Sequence, residues 1–449
     1  MLFLFPLLAA TVLAQEKVLD LTNPADYANQ SIPAYITKDN TTADNAITDL
    51  GATLGRVLFY DKRLSRDDSI SCSSCHRQEK AFSDTAIAST GVAGTTGRHS
   101  MRLVNPRFAS EAKFFWDERA SSLEVQATQP IHDHFEMGFS GTLGDPAFSD
   151  LVVKLSAIEE YQVLFKGVFG NATLTEERVG KAIAQFVRSI QSFDSKYDAG
   201  RATRNDGQDF PNFTASENAG KMLFTAPPNN GGAGCAGCHR PPEFDIDPNS
   251  GHNGVVSKIG GGTDTTNTRS PSLRDLVDAN GVPHGAFMHD GSKPSLLSVI
   301  DHYNSIPANV PGLDRRLVRA NGQTQQLNLT AGQKSDIEAF LRTLTGTSIY
   351  TDEKFSNPFN PDDTLPIVVL PHDSAEMTLS DQNGVQSVTL CASGVPNVDY
   401  LFQASTDLVH WTSSPVTATA NGDLVMTAPI AAGDKKLFYR FAYQAVPSL

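Results

Sequence analysis

The chain has little positive charge: it carries 36 Lys and Arg residues against 50 Asp and Glu residues, and its formal net charge is −14 at pH 7. Proteins that bind nucleic acid need basic patches, so this deficit argues against nucleic acid as a partner. Long apolar runs are also missing. The run at the N-terminus (MLFLFPLLAATVLAQ) is too short to span a membrane, and no later segment is long enough. We therefore expect no membrane span.

The N-terminal run is typical of a signal peptide. It ends in Val12-Leu13-Ala14, which puts small residues at the −3 and −1 positions of a signal-peptidase site, although the usual positive n-region is missing. We predict that residues 1–14 are a signal peptide. The 449 residues of the chain then predict two to three domains.

Cysteine is scarce too, since the chain has only 5, but four of them stand in two copies of Cys-x-x-Cys-His, at 72–76 and 235–239. This pattern is the attachment site of a c-type haem. Two thiols one helical turn apart can add to the vinyl groups of one porphyrin, and the histidine can bind its iron. The predicted attachment residues are Cys72, Cys75, Cys235 and Cys238, and the predicted iron ligands are His76 and His239. The alternative is a Cys2His2 zinc site or a pair of disulfides.

The two haem motifs lie in an internal repeat. The pentad GRVLF (55–59) precedes the first motif and GKMLF (220–224) precedes the second at nearly the same distance. Each pentad ends a helical pattern, and Thr214 with Glu217 forms a capping box that opens the second helix. Each half of the chain is therefore predicted to be a cytochrome c unit. Because c-type haem is attached outside the cytoplasm, we expect a periplasmic or secreted protein.

Other helices are predicted by caps and by apolar faces. Thr175 precedes a helix whose apolar residues share one face, and Thr330 with Gln333 opens another. The faces consist of Val179, Ile183, Phe186, Val187 and Ile190 in the first, and Ile337, Phe340, Leu341 and Leu344 in the second. We expect a mainly α fold with an N-terminal haem domain at 15–200 and a C-terminal haem domain at 201–356.

The composition changes after residue 356. A linker with two prolines at 357–363 forbids helix, and the short alternating runs at 387–391 and 437–443 are typical of strands. We predict a small C-terminal β-sandwich at 365–449, which could act by tethering the protein to a surface or polymer. Cys391 lies in an apolar strand and is expected to be a buried core thiol.

Residues 45–350 resemble the bacterial di-haem cytochrome c peroxidases and the related MauG-like enzymes. The matching stretches follow the order of the family and include LGRVLFYDKRLSRDDSISCSSCH, FFWDERASSLEVQATQP, TRSPSLRD and FMHDGS. The resemblance implies that the N-terminal haem is the site of hydrogen peroxide and that the C-terminal haem stores or relays an oxidising equivalent. It also implies an electron-donor protein, such as a small cytochrome or a cupredoxin, or a protein substrate. An acidic surface would suit a basic electron-transfer partner.

The resemblance also implies roles for three residues of the first half. Glu136, in Phe-Glu-Met-Gly, matches the distal acid, whose carboxylate takes a proton from hydrogen peroxide and returns it to the leaving oxygen. Gln126 matches a distal amide that can hydrogen-bond peroxide or water. Trp116 matches a tryptophan that carries electrons between the haems, although an aromatic residue in FFWD also serves as core packing.

The sixth ligand of the C-terminal iron is a methionine in the peroxidases, fourteen residues beyond the histidine of a His-Asp-Gly motif. Counting from His289 gives Tyr303, and the MauG-like branch has tyrosine at this place. A phenolate is a hard anionic ligand and lowers the iron potential relative to a thioether. His302 and Met288 are rival ligands.

Two residues depart from the family pattern. Many di-haem peroxidases carry a histidine after the glycine of a loop that follows the first haem motif, and this histidine blocks the iron. Here Val92 follows Gly91, which favours an open N-terminal iron. His99 stands where the family has an asparagine associated with calcium, so calcium between the haems stays an open expectation. The resemblance as a whole implies a di-haem peroxidase, and the alternative is a di-haem electron-transfer cytochrome without peroxide chemistry.

Overall fold

The computed structural model describes residues 16–443 apart from 111, 247, 249, 308–309, 372–374 and 431–435. The predicted signal peptide lies outside the described residues. Within them, the α-helices are α1 (Asp49–Tyr60), α2 (Cys72–Cys75), α3 (Leu123–His132), α4 (Phe148–Ser156), α5 (Glu159–Phe169), α6 (Glu176–Ser189), α7 (Lys196–Arg201), α8 (Ala215–Thr225), α9 (Leu296–Asn304) and α10 (Ala331–Arg342). In this part of the chain no helix is long and apolar enough to cross a membrane.

The strands are short in the helical part and longer near the C-terminus. They are β1 (Leu19–Asp20), β2 (His239–Arg240), β3 (Asp245–Ile246), β4 (Ile367–Val368), β5 (Glu376–Gln382), β6 (Val385–Ser393), β7 (Asp399–Ser405), β8 (Thr412–Thr417), β9 (Asp423–Pro429) and β10 (Phe438–Tyr443). The described protein therefore combines helices with some β-sheet.

The helices begin where the sequence offers side-chain caps. The hydroxyl of Thr175 accepts the backbone N–H of Arg178 at 3.2 Å, at the start of α6. The predicted capping boxes open α8 and α10. The apolar residues predicted to share a face of α6 or of α10 are all buried. Local sequence signals therefore set these helix ends and faces, as predicted.

The sequence repeat corresponds to two similar helix crossings. At Gly55 of α1, a Cβ atom would lie 2.0 Å from a carbonyl oxygen of α6 and 2.8 Å from Cβ of Phe186. At Gly220 of α8, it would lie 1.8 Å from a carbonyl oxygen of α10 and 2.9 Å from Cβ of Phe340. Only glycine permits backbones to approach this closely. The first glycine of each pentad thus performs the same task in both halves.

Two hydrophobic clusters form the core. The first packs around α1, α5 and α6, and the second around α8 and α10. The segment before β4 joins the first cluster: the hydroxyl of Tyr60 donates to the carbonyl of Phe355 at 2.7 Å, and Phe359 is buried. The predicted linker is non-helical, yet it packs against the N-terminal helices.

Two three-stranded antiparallel sheets follow, with strand orders β5-β6-β9 and β10-β7-β8. The first predicted run lies inside β6, and the second covers all of β10. Buried residues of both sheets, such as Leu390 and Phe402, belong to the first hydrophobic cluster. The amide of Asn397 donates to the carbonyl of Gly167 at 3.2 Å, and the hydroxyl of Tyr443 bonds Glu159 at 3.1 Å. The region that contains the two sheets therefore packs against α5.

The prediction that Cys391 is a buried core thiol is wrong. Side chains of β6 alternate between the two faces of the sheet. Val388, Leu390 and Ala392 are buried, whereas Cys391 lies between them on the opposite face and is only half-buried. The alternation of the predicted run itself places Cys391 with Thr389, on the face opposite the core.

Candidate active site

Each haem motif lines a cavity of its own. The N-terminal cavity, about 520 Å³, is lined by Cys72, Cys75 and His76. The C-terminal cavity, about 530 Å³, is lined by Cys235, Cys238 and His239. Both volumes lie in the range of cofactor pockets, roughly 300–1,000 Å³.

The first motif folds so that its histidine presents one nitrogen to the cavity. Cys72 and Cys75 are the two ends of the single-turn helix α2, which Ser71 and Ser74 cap. Nδ1–H of His76 donates to the carbonyl oxygen of Phe82 at 2.9 Å, which leaves the Nε2 lone pair available for a metal. Burial lowers the pKa of His76 and favours the neutral imidazole that a metal requires.

The second motif carries the same groups but differs in local structure, since Cys235–Gly237 form a 3-10 turn and the buried Nδ1 of His239 has no hydrogen-bond partner among the described residues. Burial lowers the pKa of His239 to about 4, and burial raises the pKa of Cys235 to about 12. The five cysteines are free, and the described residues hold no group of three or more His, Cys, Asp and Glu side chains fit for a metal ion alone. Two large cavities, each with two thiols and an available imidazole, suit c-type haem better than zinc or disulfides.

Glu136 and Gln126 line the N-terminal cavity and do not line the other one. Gln126 projects from α3. Glu136 lies on a loop held at several points: Asp133 Oδ1 accepts the backbone N–H of Glu136 at 3.1 Å, and the N–H of Val92 donates to the Glu136 carbonyl at 3.0 Å. A Cβ at Gly91 would lie 2.1 Å from a carbonyl oxygen of this loop, so glycine is required.

The carboxyl group of Glu136 titrates near neutral pH. Burial, and then the nearby carboxylate of Asp133, raise its pKa to about 7, while the guanidinium of Arg119 opposes the shift. All three residues line the same cavity. A carboxyl group with this pKa can both accept and donate a proton under physiological conditions.

Among the described residues that line the two cavities, Val92 does not occur. A Cβ at Gly138 would lie 2.9 Å from Cγ2 of Val92, so the valine points toward that glycine. His99 lies between the two cavities and lines both. Its Nδ1–H donates to the carbonyl oxygens of Ala86 and Ile87 at 3.0 and 3.2 Å, and its buried Nε2 has no hydrogen-bond partner.

Seven residues line both cavities and are called the shared wall: His99, Ser100, Met101, Arg102, Trp116, Arg269 and Pro271. Trp116 is fixed there, because its Nε1–H donates to the carbonyl of His99 at 2.8 Å and its carbonyl accepts the N–H of Arg269 at 3.0 Å. Its ring lies 6.3 Å from that of His289. An indole thus separates the two candidate haem sites.

The candidates for the sixth ligand of the C-terminal iron differ in position. Tyr303, in the last turn of α9, and Met288 line the C-terminal cavity, whereas His302 does not. Nε2 of His302 bonds the carbonyl of Asn253 at 2.8 Å, and Sδ of Met288 accepts from the Asn253 amide at 3.3 Å. Burial raises the pKa of Tyr303, while a hydrogen bond from Asn253 lowers it.

Three site residues escaped the sequence analysis. Asp133 precedes Glu136 by three residues, and an Asp that caps a tight loop could have been noticed. Asn253 and Arg102 carry no local signal. Their positions depend on chain segments that meet only in the folded protein.

Comparisons with known proteins agree with this geometry. Residues 50–206 match the family described as di-haem cytochrome c peroxidase. The methylamine utilization protein MauG of Methylophilus methylotrophus is 31% identical over 74% of this chain and 90% of its own length. The cytochrome c551 peroxidase of Nitrosomonas europaea is 27% identical over 66% of this chain and 80% of its own length.

A solved structure is similar over the same part of the chain. It is the crystal structure of a MauG-like protein associated with microbial copper homeostasis, with a TM-score of 0.56 and 29% identity, covering 74% of this chain and 99% of that protein. The chain belongs to the di-haem cytochrome c peroxidase and MauG family, and it is a peroxidase-type oxidoreductase that carries two c-type haems.

Proposed function

We propose that the protein reduces hydrogen peroxide in the N-terminal cavity and that Trp116 connects this reaction to the C-terminal haem, as in a MauG-like enzyme. His76 would hold the first iron, and His239 with Tyr303 the second. The bound haems supply the redox-active iron that takes up and returns electrons. The observation that carries the proposal is the shared wall: Trp116 borders both cavities, while Glu136 and Gln126 border only the N-terminal one.

Glu136 moves the protons in this proposal. Its carboxylate takes a proton from the oxygen of hydrogen peroxide that faces the iron and returns it to the oxygen that leaves as water. A pKa of about 7 suits both steps. The amide of Gln126 donates a hydrogen bond to the peroxide and orients it, and the bonds from Asp133 and Val92 hold the backbone of Glu136, from which the carboxylate projects.

Tyr303 supports the MauG-like form of the proposal. Ligation requires loss of the phenol proton, which burial opposes and the amide of Asn253 favours. A bound iron would strongly favour the phenolate, as a metal does for its ligands generally. Of the two rivals, His302 does not line the C-terminal cavity and its Nε2 bonds the carbonyl of Asn253, whereas Met288 lines the cavity and is the competing ligand.

The remaining parts of the proposal concern organisation and partners. We propose haem domains at 15–200 and 201–356 and a β-sandwich at 365–449, supported by the two glycine crossings and the two sheets. Attachment of c-type haem supports a periplasmic or secreted location. Electrons come from a small cytochrome, a cupredoxin or an oxidisable protein substrate. Calcium between the haems rests on the resemblance, and treatment with EGTA before peroxide titration tests it: an unchanged response counts against calcium.

The experiment that tests the function is an absorption spectrum of the ferric holoprotein before and after one equivalent of hydrogen peroxide. A peroxidase gives an immediate change in the Soret band and regains its ferric spectrum when an electron donor is added. A di-haem electron-transfer cytochrome without peroxide chemistry gives no change, and that result would replace the proposal.

A further inference from the structure

Arg102 is a charged residue of the shared wall, and no carboxylate among the residues that the structure describes forms an ion pair with it. Its guanidinium makes no hydrogen bond or ion pair with any residue that the structure describes, and its buried Nε is unpartnered. The nearest aromatic contact is the ring of Phe287, 5.8 Å from the guanidinium carbon. Burial lowers the pKa of Arg102 to about 10, so the group is still a cation at neutral pH.

Arg98 and Arg316 of the cavities are already neutralised by protein carboxylates. Arg98, which lines the N-terminal cavity, is bound by Asp117 at 2.7 Å and by Asp264 at 2.8 Å. Arg316, which lines the C-terminal cavity, is bound by Asp314 at 2.6 Å. Arg102 differs from both because no carboxylate reaches it.

The acid that acts on Arg102 electrostatically does not form an ion pair with it. Asp275 is fully buried, and its Oδ1 accepts the hydroxyl of Tyr350 at 2.7 Å and the backbone N–H of Gly346 at 2.8 Å, while its Oδ2 has no hydrogen-bond partner. Arg102 itself is only partly buried, because its side chain lines both cavities. Filling the cavities removes this cation from water, which is strongly unfavourable unless an anion pairs with it. A group that fills the cavities can supply that anion directly.

We propose that Arg102 is the counter-ion of the two haems together and pairs with a propionate carboxylate of each across the shared wall. A guanidinium is planar and carries five N–H donors, so it can bind two carboxylates at once. This proposal depends on the presence of both haems and not on peroxide chemistry, so it stands or falls separately from the proposed function.

A counter-ion shared by both haems affects the midpoint potentials of both, whereas a residue that lines one cavity affects the potential of one haem. Positive charge near a haem favours the reduced iron, which carries one positive charge fewer than the oxidised iron. Removing the charge of Arg102 should therefore lower the midpoint potentials of both haems. Arg119 lines only the N-terminal cavity, where its guanidinium is paired with Asp117 at 2.9 Å, and it serves as a control because its replacement should act on the N-terminal haem alone.

The test compares the holoproteins of wild type, Arg102→Gln, Arg102→Lys and Arg119→Gln by spectroelectrochemical titration, with haem content measured by denaturing mass spectrometry. In Arg102→Gln we expect the ratio of oxidised to reduced iron, at a fixed applied potential, to rise by about tenfold at both haems, the scale of one unit charge about 10 Å from the iron at an effective dielectric constant of about 20. Arg102→Lys should recover part of the shift, and Arg119→Gln should change one haem.

Three results would overturn the proposal. The first is an unchanged potential at both haems, or a shift at only one, in Arg102→Gln. The second is an equal shift of both haems in Arg119→Gln, since the effect would then not be specific to the shared wall. If Arg102→Gln fails to retain haem, Arg102→Lys decides: two haems with potentials near those of wild type support the shared counter-ion, and loss of haem in the lysine variant as well overturns it.

Discussion

Replacing Glu136 by glutamine keeps the shape of the side chain and removes its ability to exchange a proton. The hydrogen bonds that hold the loop involve the backbone of Glu136 and the side chain of Asp133, so they remain. Positioned acid–base groups contribute roughly 10²–10⁴-fold to rate. We therefore expect Glu136→Gln to lower kcat/KM for hydrogen peroxide by that factor while both haems stay attached.

The pH dependence gives a second signature. If the carboxylate of Glu136 is the base, kcat/KM of the wild type should fall about tenfold per pH unit below its pKa of about 7. In the glutamine variant, kcat/KM should not fall in this way at low pH. If the glutamine variant is less active but its kcat/KM still falls below pH 7, the ionisation belongs to another group.

Stability cannot explain the expected loss of activity. The pKa of Glu136 rises from 4.5 to about 7 on folding. Between these values the folded protein holds a proton that the unfolded chain releases, so the contribution of Glu136 to stability is lost as pH rises through this window. One pKa unit corresponds to about 1.4 kcal/mol, so the ionised group costs about 3 kcal/mol at pH 8. The neutral glutamine avoids this cost.

The assay is stopped-flow mixing of ferric holoprotein with hydrogen peroxide from pH 5 to pH 9, with thermal unfolding of the same samples. Glu177→Gln, at an exposed position on α6, is the matched control and should behave as wild type. If Glu136→Gln reacts within about tenfold of wild type across this range, Glu136 is not the distal acid–base group.

Four further predictions follow from the structure. The mature protein should carry two covalent haems, and denaturing mass spectrometry that finds one or none would refute this. Because Val92 does not line the N-terminal cavity, the fully ferric protein should react with hydrogen peroxide at once, and a Soret change that requires prior one-electron reduction would contradict it. Tyr303→Phe should alter the spectrum of the C-terminal haem and Tyr303→Met should raise its potential; an unchanged spectrum in the phenylalanine variant would exclude phenolate ligation. Gly220→Ala should lower the melting temperature, because its Cβ would meet a carbonyl oxygen of α10 at 1.8 Å and overpacking costs about 1–3 kcal/mol. Gly332→Ala, in open space near the start of α10, should be neutral or stabilising.

Much of the helical fold could be predicted because its signals are local. Thr175 and Thr330 cap their helices through neighbours three residues away, and the apolar faces follow the helical period. The pentads at 55–59 and 220–224 could be matched without any structure. The reason for their first glycines could not, because the carbonyl groups that approach them belong to helices more than a hundred residues later in the chain.

The residues of the candidate site also differ in whether the sequence alone could predict them. His76 and His239 follow from a five-residue motif, and Glu136 could be found only through resemblance to a family. Neither a local motif nor the resemblance indicated Arg102 and Asn253. An arginine without a partner, for example, is recognised only when all its neighbours are known. Cys391 shows the opposite error: the apolar character of the thiol suggested burial, although the alternation of the strand already placed it on the face of Ser387 and Thr389.

The pairing of β1 with β4 has a consequence for the order in which the protein can be completed. The two strands run parallel, and the backbone N–H of Lys17 bonds the side chain of Asn360, 343 residues away. Closing so long a loop costs little more free energy than closing a shorter one, because the entropy cost grows only with the logarithm of loop length. Contacts between residues so far apart in the chain nevertheless slow folding. β1 therefore cannot pair until β4, which lies beyond the whole helical region, is available, and the earliest strand of the described chain depends on one of the later ones.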